Sequence, residues 1–308
     1  MKKLSLCLWL WAGLPLALLV QGAAGQSPTR TALVNGVELH YVEQGQGVPV
    51  VFVHGGLEDY RAWSQQVEAF SQHYRAIAYS RRYNYPNSGA AFGDSYSAIA
   101  DAEDLAALIR KLELPPVHVV GYSYGAYAAL FLAARHPELV RSLVLSEPPV
   151  LRLLSGMAGG APLFTDFMNK VWKPAAKGFR AGNEAGVTAA VDGFGELGYS
   201  GKAEKMTFAA LPPEVRSVLL ENASEWKALT ISKDAFPSLP LSAIRRINAP
   251  ALLLSGARSL KLAGAIDGLL EHTLPQGHRL ILANATHDMW SEYPEECRNA
   301  TIMFLDKH

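Results

Sequence analysis

Cysteine is nearly absent. The 308 residues hold two, Cys7 and Cys297, and Cys7 lies in an N-terminal apolar run that is expected to be removed. Cys297 is then alone, and no intrachain disulfide can form. Net charge is absent too: 28 Lys and Arg balance 28 Asp and Glu. No run of basic residues stands out, which argues against a nucleic-acid partner. The chain has no His-Glu-x-x-His, no metal-spaced cysteine cluster, no P-loop and no Gly-x-Gly-x-x-Gly opening a helix, so no metal or dissociable cofactor is implied. No internal repeat is visible. What the chain does have is 49% hydrophobic and 18% charged residues, enough for one large α/β domain with an insertion.

The first 25 residues read as a secretory signal. Lys2 and Lys3 form a basic start, Leu4 to Val20 is an apolar stretch interrupted by Gly13 and Pro15, and Ala23-Ala24-Gly25 offers small residues for cleavage. The expected product begins at Gln26 and is exported, periplasmic or secreted, without stable membrane insertion. A retained anchor is the rival, since the apolar run sits at the short end of a spanning helix. A lipoprotein is disfavoured because Cys7 lies inside the run and not after it. Asn222, Asn284 and Asn299 head Asn-x-Ser/Thr sequons, which matter only in a eukaryotic secretory host.

The most informative stretch is Gly121-Tyr122-Ser123-Tyr124-Gly125. An apolar strand, Pro116 to Val120, precedes it and a helical stretch, Ala126 to Arg135, follows. Strand, sharp turn with a serine, then helix is the context of a nucleophile elbow. The glycines let neighbouring backbone come close to a strained turn. An ordinary turn with a capping serine is the plainer alternative.

Around this stretch, strand and helix alternate. Leu33-Val34 and Val37 to Val42 flank Asn35-Gly36, a hairpin signal. Pro49 to Val53 is wholly apolar, as suits a strand covered on both faces. Tyr60 to Ser71 is expected to be helical, Arg75 to Tyr79 a strand, Ser95 to Leu112 a helix capped by Ser95 or Ser97, and Leu139 to Ser146 a strand. The alternation implies a mainly parallel sheet flanked by helices. Residues 150–247 break it: they contain Leu211-Pro212-Pro213 and Phe236-Pro237 between helical stretches, with no strand period. This is expected to be a helical cap inserted between core segments 26–149 and 248–308. The alternation resumes with Ala249 to Ser255, Leu262 to His272, His278 to Leu282 and a last helix from Trp290 to Leu305.

Over about residues 31 to 306 the chain resembles the α/β-hydrolase family. The resemblance rests, in order, on Val53-His54-Gly55-Gly56, Gly121-Tyr122-Ser123-Tyr124-Gly125, the helical cap, and Thr286-His287-Asp288-Met289-Trp290. It implies that Ser123 is the nucleophile and His287, in a polar loop after a strand, its base. Backbone N–H groups of Tyr124 and Gly56 are implied as the oxyanion hole, with Leu57 an open alternative at the second position. His54 is implied to be structural. His118, within a strand, and His136, before Pro137, also read as structural. The usual acid of the family is an Asp in a Gly-x-x-Asp context after the cap. Here that stretch is Ser255-Gly256-Ala257-Arg258-Ser259, and Ser259 cannot carry the charge. Some relatives hold the acid at the end of the strand before the cap, where this chain has Glu147. Asp267, expected within a helix, is the runner-up. Arg81 or Arg82 is expected to tie down its loop through backbone carbonyls, the alternative being to line the pocket or bind an acidic group. Trp63, Phe164, Phe167, Trp172, Trp226 and Trp290 either bound an apolar cavity or belong to the core.

The reading is an exported serine hydrolase acting on a small-molecule carboxylic ester or related acyl bond through an acyl-enzyme. Aminopeptidase, lactonase, C–C hydrolase and perhydrolase activities would use the same triad, and Tyr122 and Tyr124 resemble residues of some aminopeptidase relatives. A serine at 123 argues against a dehalogenase or epoxide hydrolase. A ligand-binding module on the same fold is the alternative of a different class. Substrate identity and oligomeric state are not legible.

Overall fold

Short apolar runs bounded by turn residues pair into one eight-stranded sheet. The computed structural model describes residues 28–87, 90–199 and 205–308; the expected signal, residues 1–25, lies outside them. β1 (Arg30–Val34) and β2 (Val37–Gln44) form an antiparallel hairpin. Its turn residues Asn35 and Gly36 both have positive φ, 46° and 76°, as a two-residue turn of this hand requires. The remaining strands are β3 (Pro49–Val53), β4 (Arg75–Tyr79), β5 (Val117–Tyr122), β6 (Val140–Ser146), β7 (Ala251–Gly256) and β8 (Gly277–Leu282). Their order across the sheet is β1-β2-β4-β3-β5-β6-β7-β8. β2 is antiparallel to β4, and every pairing from β4 through to β8 is parallel.

Parallel strands need crossover helices, and these cover both faces. A 3-10 turn (Tyr60–Trp63) leads into α1 (Ser64–Phe70); α2 (Ala98–Lys111) and α3 (Tyr124–Arg135) follow. Ser97 caps α2, its side chain accepting from the Ile99 N–H. Adjacent strand residues point to opposite faces, so the core divides in two. Val51, Val119, Leu143 and Leu253 pack with Leu105 and Ile109 of α2 and Leu130 of α3. Phe52, Val120, Val144 and Leu254 pack with Trp63, Phe70, Met289 and Phe304.

Between β6 and β7 no strand occurs among the described residues. A 3-10 stretch (Leu151–Gly156) leads to α4 (Gly160–Phe167), which passes through a π-helical turn (Met168–Trp172) into α5 (Lys173–Ala181). Then come α6 (Asn183–Glu196), α7 (Pro213–Glu221), α8 (Ala223–Ile231) and α9 (Leu241–Ile244). This segment is tied to the helix after β5: the Tyr124 hydroxyl donates to the Ala235 carbonyl at 2.7 Å, and that of Tyr127 to the Pro237 carbonyl. The chain ends with α10 (Lys261–Thr273), α11 (Met289–Glu292) and α12 (Pro294–Leu305). The single helix expected from Trp290 to Leu305 is thus two. Tyr293, at φ −134° and ψ 54°, leaves the helical region, because the ring of Pro294 crowds the residue before it. No helix among the described residues is long and apolar enough to cross a membrane.

After β3 the chain adds β4 on one side and β5 on the other, so the order reverses at β3. In such sheets ligands bind beyond the carboxyl ends of the strands, near that reversal. α3 begins there, pressed against the end of β3. A Cβ at Gly125 would fall 2.3 Å from the carbonyl oxygens of both Val53 and His54. Gly125→Ala is therefore expected to lower unfolding stability by about 3 kcal/mol, the upper end of ordinary overpacking. Urea titration checks this, and an unchanged midpoint would contradict the close approach.

Candidate active site

Five strand ends deliver the site. Ser123 follows β5 with φ 50° and ψ −120°, a conformation that a non-glycine residue keeps only when its surroundings hold it. Its N–H donates to the Ser146 carbonyl at 2.8 Å, and its carbonyl accepts from the Tyr127 N–H at 3.1 Å. Gly121 permits the turn, since a Cβ there would lie 2.6 Å from the Ala126 Cα.

Glu147 follows β6, also at positive φ (49°), and is only 2% exposed. A carboxylate so buried must be well supplied with donors. It has three: the Gly256 N–H on Oε1 at 2.8 Å, and on Oε2 the Ser259 hydroxyl and His287 Nδ1–H, each at 2.5 Å. Ser259, at the place where the family usually has its Asp, therefore donates to the carboxylate that stands nearby instead.

His287 lies in the turn after β8. Glu292 steadies this turn by accepting from the Thr286 N–H and hydroxyl at 2.8 and 2.9 Å. The rings of Tyr122 and Tyr199 flank the imidazole, with centroids 5.0 and 5.1 Å away. Burial opposes its charged form, but the hydrogen bond and charge of Glu147, helped by Asp288 and Glu58, raise its pKa above the ordinary value. With Nδ1–H donated to a carboxylate, the proton-free nitrogen is Nε2. Asp267 is buried in α10 and makes no hydrogen bond to His287. Its Oδ2 accepts from the Ser255 hydroxyl at 2.5 Å, and burial, then the neighbouring Glu147 charge, holds its pKa well above the carboxylate range.

The loop after β3 presents three consecutive N–H groups. That of Gly55 donates to Glu58 at 2.8 Å and that of Leu57 to Glu225 at 3.0 Å. That of Gly56 has no hydrogen-bond partner among the described residues. Gly56 borders a cavity of about 60 Å³ with Ser123, Tyr124, Glu147 and His287, whereas Leu57 does not. The Tyr124 N–H, at the first turn of α3, has no carbonyl within its own helix to bond. The remaining wall is apolar: Phe167, Trp172, Phe194, Trp226, Leu229 and Phe236 among others. Of the aromatics singled out in the sequence, Phe167, Trp172 and Trp226 line the cavity. Trp63 instead lies in the core with partly buried Trp290 packed on it at 5.0 Å, and Phe164 packs against the core. Phe194 and Phe236 had no motif or spacing to mark them.

Arg81 is fully buried and bonds two backbone carbonyls, His54 at 3.2 Å and Gly55 at 2.8 Å. It also pairs with Asp101 at 2.6 Å and Glu225 at 2.5 Å. Arg82 pairs with Asp104 at 2.7 Å. His54 accepts from the Arg81 N–H, His118 bonds the Ser142 hydroxyl and His136 bonds Glu103; none of the three borders the cavity. Among the described residues, no group of three or more His, Cys, Asp and Glu is arranged to hold a metal ion.

The family model for the alpha/beta hydrolase fold matches residues 48–180. A non-heme chloroperoxidase, CPO-A1, of Kitasatospora aureofaciens is 34% identical over 165 residues, 49% of this chain and 59% of that protein. A putative non-heme bromoperoxidase, BpoC, of Mycobacterium tuberculosis is 29% identical over 87% of this chain and 98% of its own. In three of the curated relatives the match covers 46%, 59% and 42% of their length, so the chain spans about half of these proteins. Among solved structures, the enol-lactonase from Burkholderia xenovorans LB400 superimposes with a TM-score of 0.70 at 21% identity, over 90% of this chain and 100% of that one. Family match and solved structures agree on the architecture: the chain has the alpha/beta hydrolase fold.

The Glu147–His287 pair has a direct test. In Glu147→Gln the burial of His287 remains but its charged partner is gone. Its pKa, held above the ordinary value in the parent, is expected to fall. Imidazole titration by NMR measures this, and an unmoved titration would contradict the pairing.

Proposed function

We propose that the protein is an exported serine hydrolase that cleaves a small-molecule carboxylic ester or related acyl bond. The observation that carries the reading is the hydrogen bond from His287 to buried Glu147, bordering the same cavity as the strained Ser123. His287 Nε2 takes the Ser123 proton as Oγ attacks the acyl carbonyl. The Tyr124 and Gly56 N–H groups receive the negative charge that develops on the carbonyl oxygen. The imidazolium, stabilised by Glu147, returns its proton to the leaving group. Water, deprotonated by the same nitrogen, attacks the acyl-enzyme, and Ser123 leaves with that proton. The apolar cavity wall suits an uncharged acyl group. Export rests on the N-terminal sequence pattern alone. Perhydrolysis, with hydrogen peroxide replacing water at deacylation, is a second reading. The relatives named as non-heme chloroperoxidase and bromoperoxidase favour it.

Ser123→Ala is expected to lower hydrolysis of a neutral activated ester by at least about 10³-fold, and Glu147→Gln by about 10²- to 10⁴-fold. A fluorophosphonate is expected to label Ser123, and more slowly in Glu147→Gln. Full ester hydrolysis by Ser123→Ala would sink the proposal. Only neutral His287 accepts a proton, so activity is present above its pKa and lost below it. Because Glu147 raises that pKa, the acid limb of kcat/KM is expected to move to lower pH in Glu147→Gln.

Ser259 offers an independent check, because its hydroxyl reaches the carboxylate oxygen that binds His287. The double variant Glu147→Ala with Ser259→Asp is expected to regain about tenfold in kcat over Glu147→Ala alone by restoring an acid partner. Equal rates would show that residue 259 cannot serve the imidazole.

A further inference from the structure

We infer that Glu225, on helix α8, is a positioning residue for the Gly56 N–H, so the inserted helices help to set the oxyanion geometry. The inference rests on the serine-hydrolase reading of Ser123. Glu225 is fully buried and lies outside the cavity wall. Its Oε2 accepts from the Leu57 N–H at 3.0 Å and from Asn84 Nδ2 at 3.1 Å, and its Oε1 accepts from Arg81 Nη2 at 2.5 Å.

These contacts orient both peptide groups around Gly56. In a trans peptide, the carbonyl and the following N–H lie in one plane and point in opposite directions. The Gly55 carbonyl accepts from Arg81 Nη2 at 2.8 Å, the same nitrogen that bonds Glu225. The Gly56 N–H of that peptide must then point away from Arg81. The next peptide is held by its Leu57 N–H on Glu225 directly, which also supports the positive φ of Leu57, 60°. Glu225 thus holds one plane itself and, through Arg81, shares the other with His54, whose Nδ1 also bonds the Gly55 carbonyl at 2.8 Å. The adjacent Trp226 stands on the cavity side: a Cβ on Gly56 would meet its Nε1 at 2.7 Å. α8 therefore bears on the loop both through the polar network and from within the cavity.

Removing the Glu225 charge leaves Arg81 paired with Asp101, so Glu225→Gln is expected to fold. The test compares the parent, Glu225→Gln and Ser123→Ala, all in the full chain, on a neutral short-chain p-nitrophenyl ester. A trifluoromethyl ketone, which adds a serine to give an oxyanion, serves as the inhibitor. Misplacing a donor by a fraction of an ångström acts on the transition state more than on bound substrate. In Glu225→Gln, kcat is expected to fall about 10- to 100-fold with KM within about threefold, and ketone affinity to fall in parallel with kcat. A lower melting temperature with parental kcat and ketone affinity would mark a purely structural role and overturn the inference. Should Glu225→Gln not fold, Asn84→Ala loosens the same carboxylate while sparing both Arg81 ion pairs. It is expected to lower kcat and ketone affinity together by about three- to tenfold, and parental values overturn the inference. Ser123→Ala separates the two readings. Full activity in it removes the serine mechanism and the inference with it. If it is inactive while Glu225→Gln keeps parental kcat and ketone affinity, only the inference is lost.

Discussion

A buried carboxylate is the constraint that the site answers to. Glu147 is almost fully enclosed, and an ionised group there is costly unless donors surround it. Its donors come from three separate places: the Gly256 amide at the end of β7, the Ser259 hydroxyl just beyond, and the His287 imidazole after β8. Satisfying one side chain therefore draws the ends of β6, β7 and β8 into a single arrangement. The same contacts select the His287 tautomer, with Nδ1 protonated and Nε2 free to act as a base.

On the other side of Ser123, the constraint lies in the backbone. Gly121 and Gly125 let the elbow sit against Ala126 and against the carbonyls at the end of β3. This brings the first turn of α3 beside the His54–Leu57 loop. Of the three N–H groups in that loop, Gly55 and Leu57 are taken up by carboxylates. Among the described residues, the amides without a partner beside the cavity are then those of Gly56 and Tyr124. The cluster of Arg81, Asp101 and Glu225 that holds the loop is wholly buried. Breaking such a cluster by losing one partner commonly costs about 3–5 kcal/mol. It also links the inserted helices to the sheet, so the cavity wall and the polar chemistry share supports.

Much of the frame was legible. The Asn35-Gly36 hairpin, the apolar run Pro49 to Val53 and the strand–serine–helix stretch around Ser123 carry local signals, because turn chemistry and hydrophobic period act over a few residues. The break between α11 and α12 was legible in principle, since Pro294 perturbs the residue before it. Other features had no local signal. Trp63 and Trp172 look alike in sequence, yet one packs on Trp290 in the core and the other faces the cavity. Phe194 and Phe236 reach the wall only through the way the helices pack. Glu225 looks like any helix-surface charge, but α8 buries it completely.

Residue types and their stations follow from chain order alone: a serine between glycines after one strand, carboxyl groups at Glu147 and Asp267, a histidine after the last strand, and a serine at 259 in place of the usual acid. Which of them meet is a property of the folded chain. Glu147 and His287 are 140 positions apart, and Leu57 and Glu225 are 168 apart. The choice of Glu147 over Asp267 as the imidazole's partner, and of Gly56 over Leu57 as the unbonded amide, depends on distances between segments that sequence spacing does not specify. Those distances are set by parallel strand register and by helix packing across the whole sheet.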